Sequence, residues 1–342
     1  MHNQIDELRQ LSARIGADPL LVQGGGGNSS VKLDDILYVK ASGTWLRDAL
    51  DKELFVPLNL EAAREYASSG QEDYLRLRVD DLPGGNLRPS IETGMHAAMP
   101  HQYVMHTHPV FTIAATIIQD HDVGHFLDGL HWAKLPYIKP GAGLASAISG
   151  LVQENAPDII LLENHGLVVG GNSPEDVEQT LLEVEKRLSL PQMELNKDFE
   201  KSEITNEPDG YKWFENKLAK DVACSGAAMQ KLTLGALVPD QVVYLGGAAV
   251  RISDIHELDE IRLNWKSHYG VEPGLVFVEG VGALVREDLT KGGLAMVDLL
   301  LQLAIHIPDN VALNTLTPEN QIELLNWDAE KFRQAVDAER KG

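Results

Sequence analysis

An α/β fold is predicted for this 342-residue chain by two observations. Apolar residues at helical spacing alternate with short apolar runs of strand length, and the alternation persists along the chain. A polar, acidic stretch at 191–210 has no apolar period and separates two domains, residues 1–195 and residues 211–342.

The elements follow in order. Ile5, Leu8, Leu11 and Ile15 recur at helical intervals. Ile36, Leu37, Tyr38 and Val39 form a strand-length run, and residues 60–67 read as a helix. A third helix is predicted over 93–99, with Ser90 as its cap and Glu92 in its first turn. Gln102 to Met105 then form a strand leading into His106-Thr107-His108-Pro109, and 110–118 reads as a helix after that proline. A helix over 144–155 follows the glycine-rich turn at 141–143. Ile159 to Leu162 form another apolar strand. Ser173 caps a helix with Pro174 at its first position, running to about residue 188.

Composition narrows the function. Apolar residues make up 44% and charged residues 23%, as in ordinary globular proteins with a sizeable core. With 29 basic and 51 acidic residues the formal charge is −22, which argues against nucleic acid or an anionic membrane as partner. Cys224 is the only cysteine, which fits a reducing, cytoplasmic setting. The first residues lack the pattern of a secretory signal. No apolar run approaches the ~20 residues of a membrane helix.

The chemistry concentrates in three histidines. On a strand, residues two apart share a face, so His106 and His108 can aim at one point. His165, in Glu163-Asn164-His165-Gly166, is delivered from a neighbouring strand. Three neutral imidazoles with an open position describe a catalytic divalent-metal site. A lone His-x-His pair is equally at home as packed histidines. Upstream, Gly24 to Gly27 followed by Asn28, Ser29 and Ser30 allows backbone N–H groups to approach an anion, although such a run is also a flexible loop. Lys40-Ala41-Ser42-Gly43-Thr44 and Arg88-Pro89-Ser90 are further small-polar turns. Glu92 stands between these turns and the histidines, where a carboxylate serves as ligand, as general base or only as a helix-dipole charge.

Five ordered motifs carry a family resemblance. They are Gly-Asn-x-Ser at 27–30, Lys-Ala-Ser-Gly at 40–43, Ser-x-Glu at 90–92, His-x-His-Pro at 106–109 and Asn-His-Gly at 164–166. Together they resemble the class II aldolase/adducin family over residues from about 5 to 190. The resemblance implies a mixed, mainly antiparallel central sheet flanked by helices in αβα layers, with a smaller α/β C-terminal domain. It implies a zinc enzyme that cleaves a ketose 1-phosphate into dihydroxyacetone phosphate and an aldehyde. His106, His108 and His165 match its zinc ligands and Glu92 its acid/base. Gly27, Asn28, Ser42, Gly43 and Ser90 match phosphate-binding positions, whereas Ile91 stands where many members have a second serine. Fourfold-symmetric tetramers are implied as well.

Epimerases of the family carry aspartate at the position of Glu92, and adducins lack the complete histidine set. Both comparisons favour an aldolase-type lyase; a decarboxylase, dehydratase or epimerase on the same metal site, and a non-catalytic interaction module, are the alternatives. Around Lys139-Pro140-Gly141 the chain is most similar to the aldolase portion of bifunctional rhamnulose-phosphate aldolase/alcohol dehydrogenases. Tyr137 lies near the position of a tyrosine that acts across subunits in the family, out of register.

Residues 275–285 align without gaps on 159–169, matching Glu279 to Glu163 and Gly282 to Gly166, with Val281 in place of His165. The C-terminal domain is therefore read as a degenerate half-copy without metal. His96 is read as a packed or exposed helix histidine, His101 as the start of the histidine strand, and His121, His125 and His131 as a surface loop.

Overall fold

The computed structural model describes residues 2–202 and 207–339. It divides into two compact units, Met1–Thr112 with Asp122–Ser189, and Ile113–His121 with Leu190–Gly342.

In the first unit α1 (His2–Gly16) precedes β1 (Asn28–Leu33), β2 (Ile36–Lys40) and β3 (Phe55–Asn59). Next come α2 (Leu60–Ser69), α3 (Thr93–Ala98) and β4 (Tyr103–Thr107). α4 (Val110–Ile117) begins in this unit and ends in the second. α5 (Val123–Phe126), β5 (Trp132–Leu135), α6 (Ala142–Asn155), β6 (Ile159–Leu162), β7 (Gly166–Gly171) and α7 (Pro174–Arg187) complete it.

Local sequence explains these boundaries. The Asn59 side chain accepts the Ala62 N–H to start α2, and Gly70 ends it in the left-handed region at φ 72°. Ser173 accepts the Asp176 N–H and Pro174 takes the first helical position of α7, as its sequence predicts. Ser90 does not cap α3. Its hydroxyl accepts the Glu92 N–H in the turn before the helix, and Glu92 itself is the N-cap residue.

The seven strands lie in the order β3-β2-β1-β4-β7-β6-β5. Every neighbouring pair is antiparallel except β5 with β6. One face packs on α2, α3 and α6 through a core that includes Leu37, Val56, Met95, Val104, Ile148 and Val168. α1 and α7 contact β1 and β7, with Leu8, Leu11 and Leu181 buried. Adjacent serines on β1 mark the two sides: Ser29 bonds Ser12 of α1, and Ser30 bonds His96 of α3. This is the layered, mainly antiparallel α/β arrangement expected from sequence.

The second unit contains β8 (Tyr211–Trp213), α8 (Lys217–Ala223), α9 (Gly226–Thr233), α10 (Pro239–Leu245), β9 (Val250–Ile252) and α11 (Leu258–Tyr269). β10 (Leu275–Val278), β11 (Gly282–Arg286), α12 (Lys291–His306), α13 (Pro318–Leu325) and α14 (Asp328–Ala338) follow. Its sheet runs β8-β11-β10-β9, with only β9 and β10 parallel. That is the pattern of β4-β7-β6-β5 in the first unit. The apolar core of this sheet includes Tyr211, Ile252, Val276 and Leu284.

A buried carboxylate fixes the chain just past the histidine strand. Glu185 of α7 accepts the Phe111 N–H at 3.2 Å, the Thr112 N–H at 3.0 Å and the Thr112 hydroxyl, at the start of α4. Burial pushes its carboxyl up to about 7, against the pull of those donors. The folded state therefore keeps a proton between pH 4.5 and 7 that the unfolded chain releases, so this group's contribution to stability falls as pH rises through that window. Each unit of such a shift corresponds to about 1.4 kcal/mol. Glu185→Gln removes this slope. The variant's melting temperature, measured relative to the parent, is expected to be higher at pH 8 than at pH 5; equal differences at both values would mean that Glu185 titrates as an ordinary carboxylate.

Candidate metal centre

β4 is an interior strand, held by β1 on one side and β7 on the other. Its alternation puts Val104 and His106 on the α3 face, and His108 follows at the strand's end. His165 comes from the three-residue turn between β6 and β7, rather than from a strand. Asn164 makes that turn by adopting φ 56°. Gly166 completes it, because a Cβ there would overlap the Thr107 carbonyl on β4.

The three rings meet. His106 Nε2 and His108 Nε2 are 3.1 Å apart, and the ring centroids are separated by 4.9, 4.8 and 5.2 Å. One nitrogen from each of the three lies within 4.8 Å of the others. Glu92 joins them, with Oε1 3.2 Å from His165 Nε2 and Oε2 3.6 Å from His106 Nε2. All four side chains are buried. Among the described residues this is the one cluster of three or more such donors; His121, His125 and His131 do not form another.

The protonation pattern favours a cation. His106 Nδ1 donates to the Leu167 carbonyl at 3.0 Å, so Nε2 presents a lone pair to the centre. Burial pushes the His106 imidazole well below its ordinary value, which keeps it neutral. Burial works against the Glu92 carboxylate, but the surrounding His106, His165 and His108 hold it well below the usual carboxylate range. Glu92 Oε1 is buried without a hydrogen-bond partner. Tetrahedral zinc with ligands at 2.0–2.1 Å needs nitrogens about 3.3 Å apart. The 3.1 Å pair, with the third ring nitrogen within 4.8 Å and a buried carboxylate beside them, fits a divalent ion.

The three small-polar turns come together beside this centre. The Ser42 N–H donates to Arg88 O at 2.9 Å, and the Ser90 N–H to Lys40 O at 3.1 Å. Ser42, Gly43 and Ser90 therefore sit side by side. Buried Lys40 donates to Thr44 O at 2.6 Å and to Gly25 O at 3.3 Å, tying the glycine run to the second turn. Gly27 is left-handed at φ 65° and lies against the backbone of His106. Asn28, at the end of the glycine run, also reaches the buried carboxylate. Its amide donates to Glu92 Oε2 at 2.7 Å and accepts from His96 Nε2. Tyr137 lies in the segment between β5 and α6.

Sequence reasoning missed Lys40, Ser30 and His96. The signal was partly present: Ser30 lies two residues after Asn28 on β1, and His96 four after Glu92. It also missed His101, whose Nε2 lies 2.8 Å from Asp158 Oδ1 and whose ring covers Gly170.

Comparison with known proteins gives the class. Residues 7–190 match the family described as Class II Aldolase and Adducin N-terminal domain, which is more than half of the chain, so the chain belongs to that family. It is 29% identical over 197 residues to the uncharacterized oxidoreductase YuxG of Bacillus subtilis (strain 168), across 53% of this chain and 28% of that protein. The chain thus spans less than a third of that relative's length. It is also similar to the N-terminal class II aldolase domain of a conserved Thermoplasma acidophilum protein, with 28% identity, a TM-score of 0.46, and coverage of 54% of this chain and 91% of that one. For L-fuculose-1-phosphate aldolase of Thermus thermophilus the identity is 18% and the TM-score 0.38, over 55% of this chain and 93% of that one. No helix among the described residues is long and apolar enough to cross a membrane.

Metal analysis checks the centre directly. Protein dialysed against zinc is expected to retain one equivalent and to gain about 2.7 kcal/mol of stability when free zinc is 100-fold above its Kd. His106→Ala and His165→Ala are expected to lose both. Undiminished stoichiometry in either variant would place the metal elsewhere.

Proposed function

We propose that this chain is a zinc-dependent aldolase that cleaves a ketose 1-phosphate into dihydroxyacetone phosphate and an aldehyde. The observation that carries this reading is the buried Glu92 carboxylate set 3.2 and 3.6 Å from two members of a converging histidine triad. His106, His108 and His165 would hold a divalent ion, which would supply Lewis acidity toward substrate oxygens.

The chain's own residues do the rest. Glu92 accepts a proton from a substrate hydroxyl as the bond cleaves and delivers it to the released carbon, so the proton lost by one product is gained by the other. Burial of Glu92 at 7% exposure keeps bulk water from competing for that proton. Ser42, Gly43, Ser90 and the left-handed Gly27 form the cradle for the substrate phosphate. Binding energy gathered there, away from the breaking bond, positions the reacting carbons.

We further infer that the second sheet is a copy of the catalytic strands that holds no metal. The support is positional. Glu163 N–H donates to Leu135 O and Glu279 N–H to Ile252 O, both at 3.0 Å. Lys134 pairs with Glu163 and Arg251 with Glu279, each from the parallel neighbouring strand at the same register. Asn164 and Gly280 turn the chain with φ 56° and 71°. In the copy, Val281 takes the place of His165, and Trp213, opposite Leu284, takes that of His106, opposite Val168.

The test is a panel of ketose 1-phosphates with zinc-loaded protein, read by release of dihydroxyacetone phosphate. Glu92→Gln should retain zinc and lose roughly 10²–10⁴ in kcat, the range of a general acid–base group. Stereochemical inversion without release would make the chain an epimerase, and decarboxylation or dehydration products would assign those reactions instead. Unchanged turnover in Glu92→Gln removes the carboxylate from the chemistry.

A further inference from the structure

Behind Glu92 runs a buried chain of polar side chains that leads away from the triad. Asn28 Nδ2 donates to Glu92 Oε2 at 2.7 Å. Asn28 Oδ1 faces His96 Nε2, and His96 Nδ1 lies 2.8 Å from the Ser30 hydroxyl. His96 and Ser30 are fully buried and Asn28 is 4% exposed.

One donor fixes every orientation in this chain. Asn28 turns its amide nitrogen to Glu92, with Nδ2 donating to Oε2. Its oxygen must then face His96. A buried carbonyl oxygen needs a donor, so His96 must carry its proton on Nε2. Its Nδ1 is then an acceptor, and the Ser30 hydroxyl must donate to it. The backbone sets this up. Asn28 and Ser30 share one face of β1, opposite His106 and Val104 of β4, and His96 lies one helical turn after Glu92.

We propose that His96 is a positioning residue: held by Ser30 as its Nε2–H tautomer, it locks the Asn28 amide so that an N–H always points at Glu92 Oε2 and leaves Oε1 toward His165. Its neutrality fits that task, since burial first, and Lys32 next, push the imidazole down to about 3. The role of His96 in turnover rests on the proposed aldol chemistry, whereas its tautomer does not.

Two variants separate positioning from packing. His96→Gln keeps a donor near the Nε2 position, and His96→Leu keeps apolar volume without one. With a ketose 1-phosphate that the parent cleaves, His96→Leu is expected to lower kcat about 10- to 100-fold, as for other groups that orient a reacting residue, with KM and zinc content unchanged. His96→Gln is expected to recover most of that loss. Ser30→Ala, which leaves the imidazole in place, should lower kcat in the same direction by less and serves if His96→Leu does not fold.

The tautomer is read without substrate, by magic-angle-spinning 15N spectra of histidine-labelled protein, with His96 assigned by its disappearance in His96→Gln. An Nε2–H signal paired with an accepting Nδ1 is expected. An Nδ1–H or doubly protonated His96, or equal losses in the Gln and Leu variants, overturns the proposal. If no ketose phosphate is cleaved, the aldolase reading fails, and the tautomer still decides whether the relay is set as described.

Discussion

The structure is organised around a negative charge kept away from water. Glu92 is 7% exposed, yet it stays ionised beside three imidazoles. A buried charge that is not compensated costs several kcal/mol, so the surroundings must answer it. Asn28 supplies one donor on Oε2. Oε1 has no hydrogen-bond partner and lies 3.2 Å from His165 Nε2. A divalent cation held by the triad would answer both the carboxylate and the imidazoles.

The sheet makes that point rigid. His106 lies on an interior strand and is turned by its bond to Leu167 on β7, so its ring does not depend on a loop. β1 carries Asn28 directly opposite His106. Met95 of α3 and its C-cap residue Met99 share a core with Val104 and Ile160, which sets the helix whose N-cap is Glu92. Past the histidines, the start of α4 is held by Glu185. Each donor is thus positioned by regular structure or by a bond to it, and buried Lys40 ties the glycine run to the turn that follows β2.

Much of this was legible in the residues, for physical reasons. Period two on a strand announces a shared face, which made His106 and His108 readable as a pair. Glycine runs and small-polar turns announce backbone groups that can approach an anion, and a Ser-Pro pair announces a helix start. What the sequence hid was pairwise. Asn28 to Ser30 and Glu92 to His96 are each ordinary spacings, and nothing in either states that the β1 face meets the α3 face. Lys40 looked like the first residue of a turn, whereas burial makes it the link between two turns. The Ser90 reading failed because the chain takes one more turn, at Ile91 and Glu92, before the helix begins.

The second sheet separates what the fold requires from what the metal requires. The turn before β11 keeps the backbone of the turn before β7: the Val281 N–H donates to Val278 O at 3.0 Å as the His165 N–H does to Leu162 O at 3.1 Å. Gly280 reaches the left-handed region more easily than Asn164 does. The ion pair from the neighbouring strand is kept as well, at 2.6 Å against 3.4 Å. So the turn, its glutamate and its basic partner belong to the architecture. None of them needs a metal. Where the imidazoles would stand, the side chains are Val281 and Trp213, which is 6% exposed and packs over Gly282. An apolar indole and an isopropyl group need no compensating cation, and that corner of the second sheet joins the hydrophobic core instead. A metal site on this scaffold is therefore a property of a few side chains and of the buried carboxylate they surround, not of the strand order that carries them.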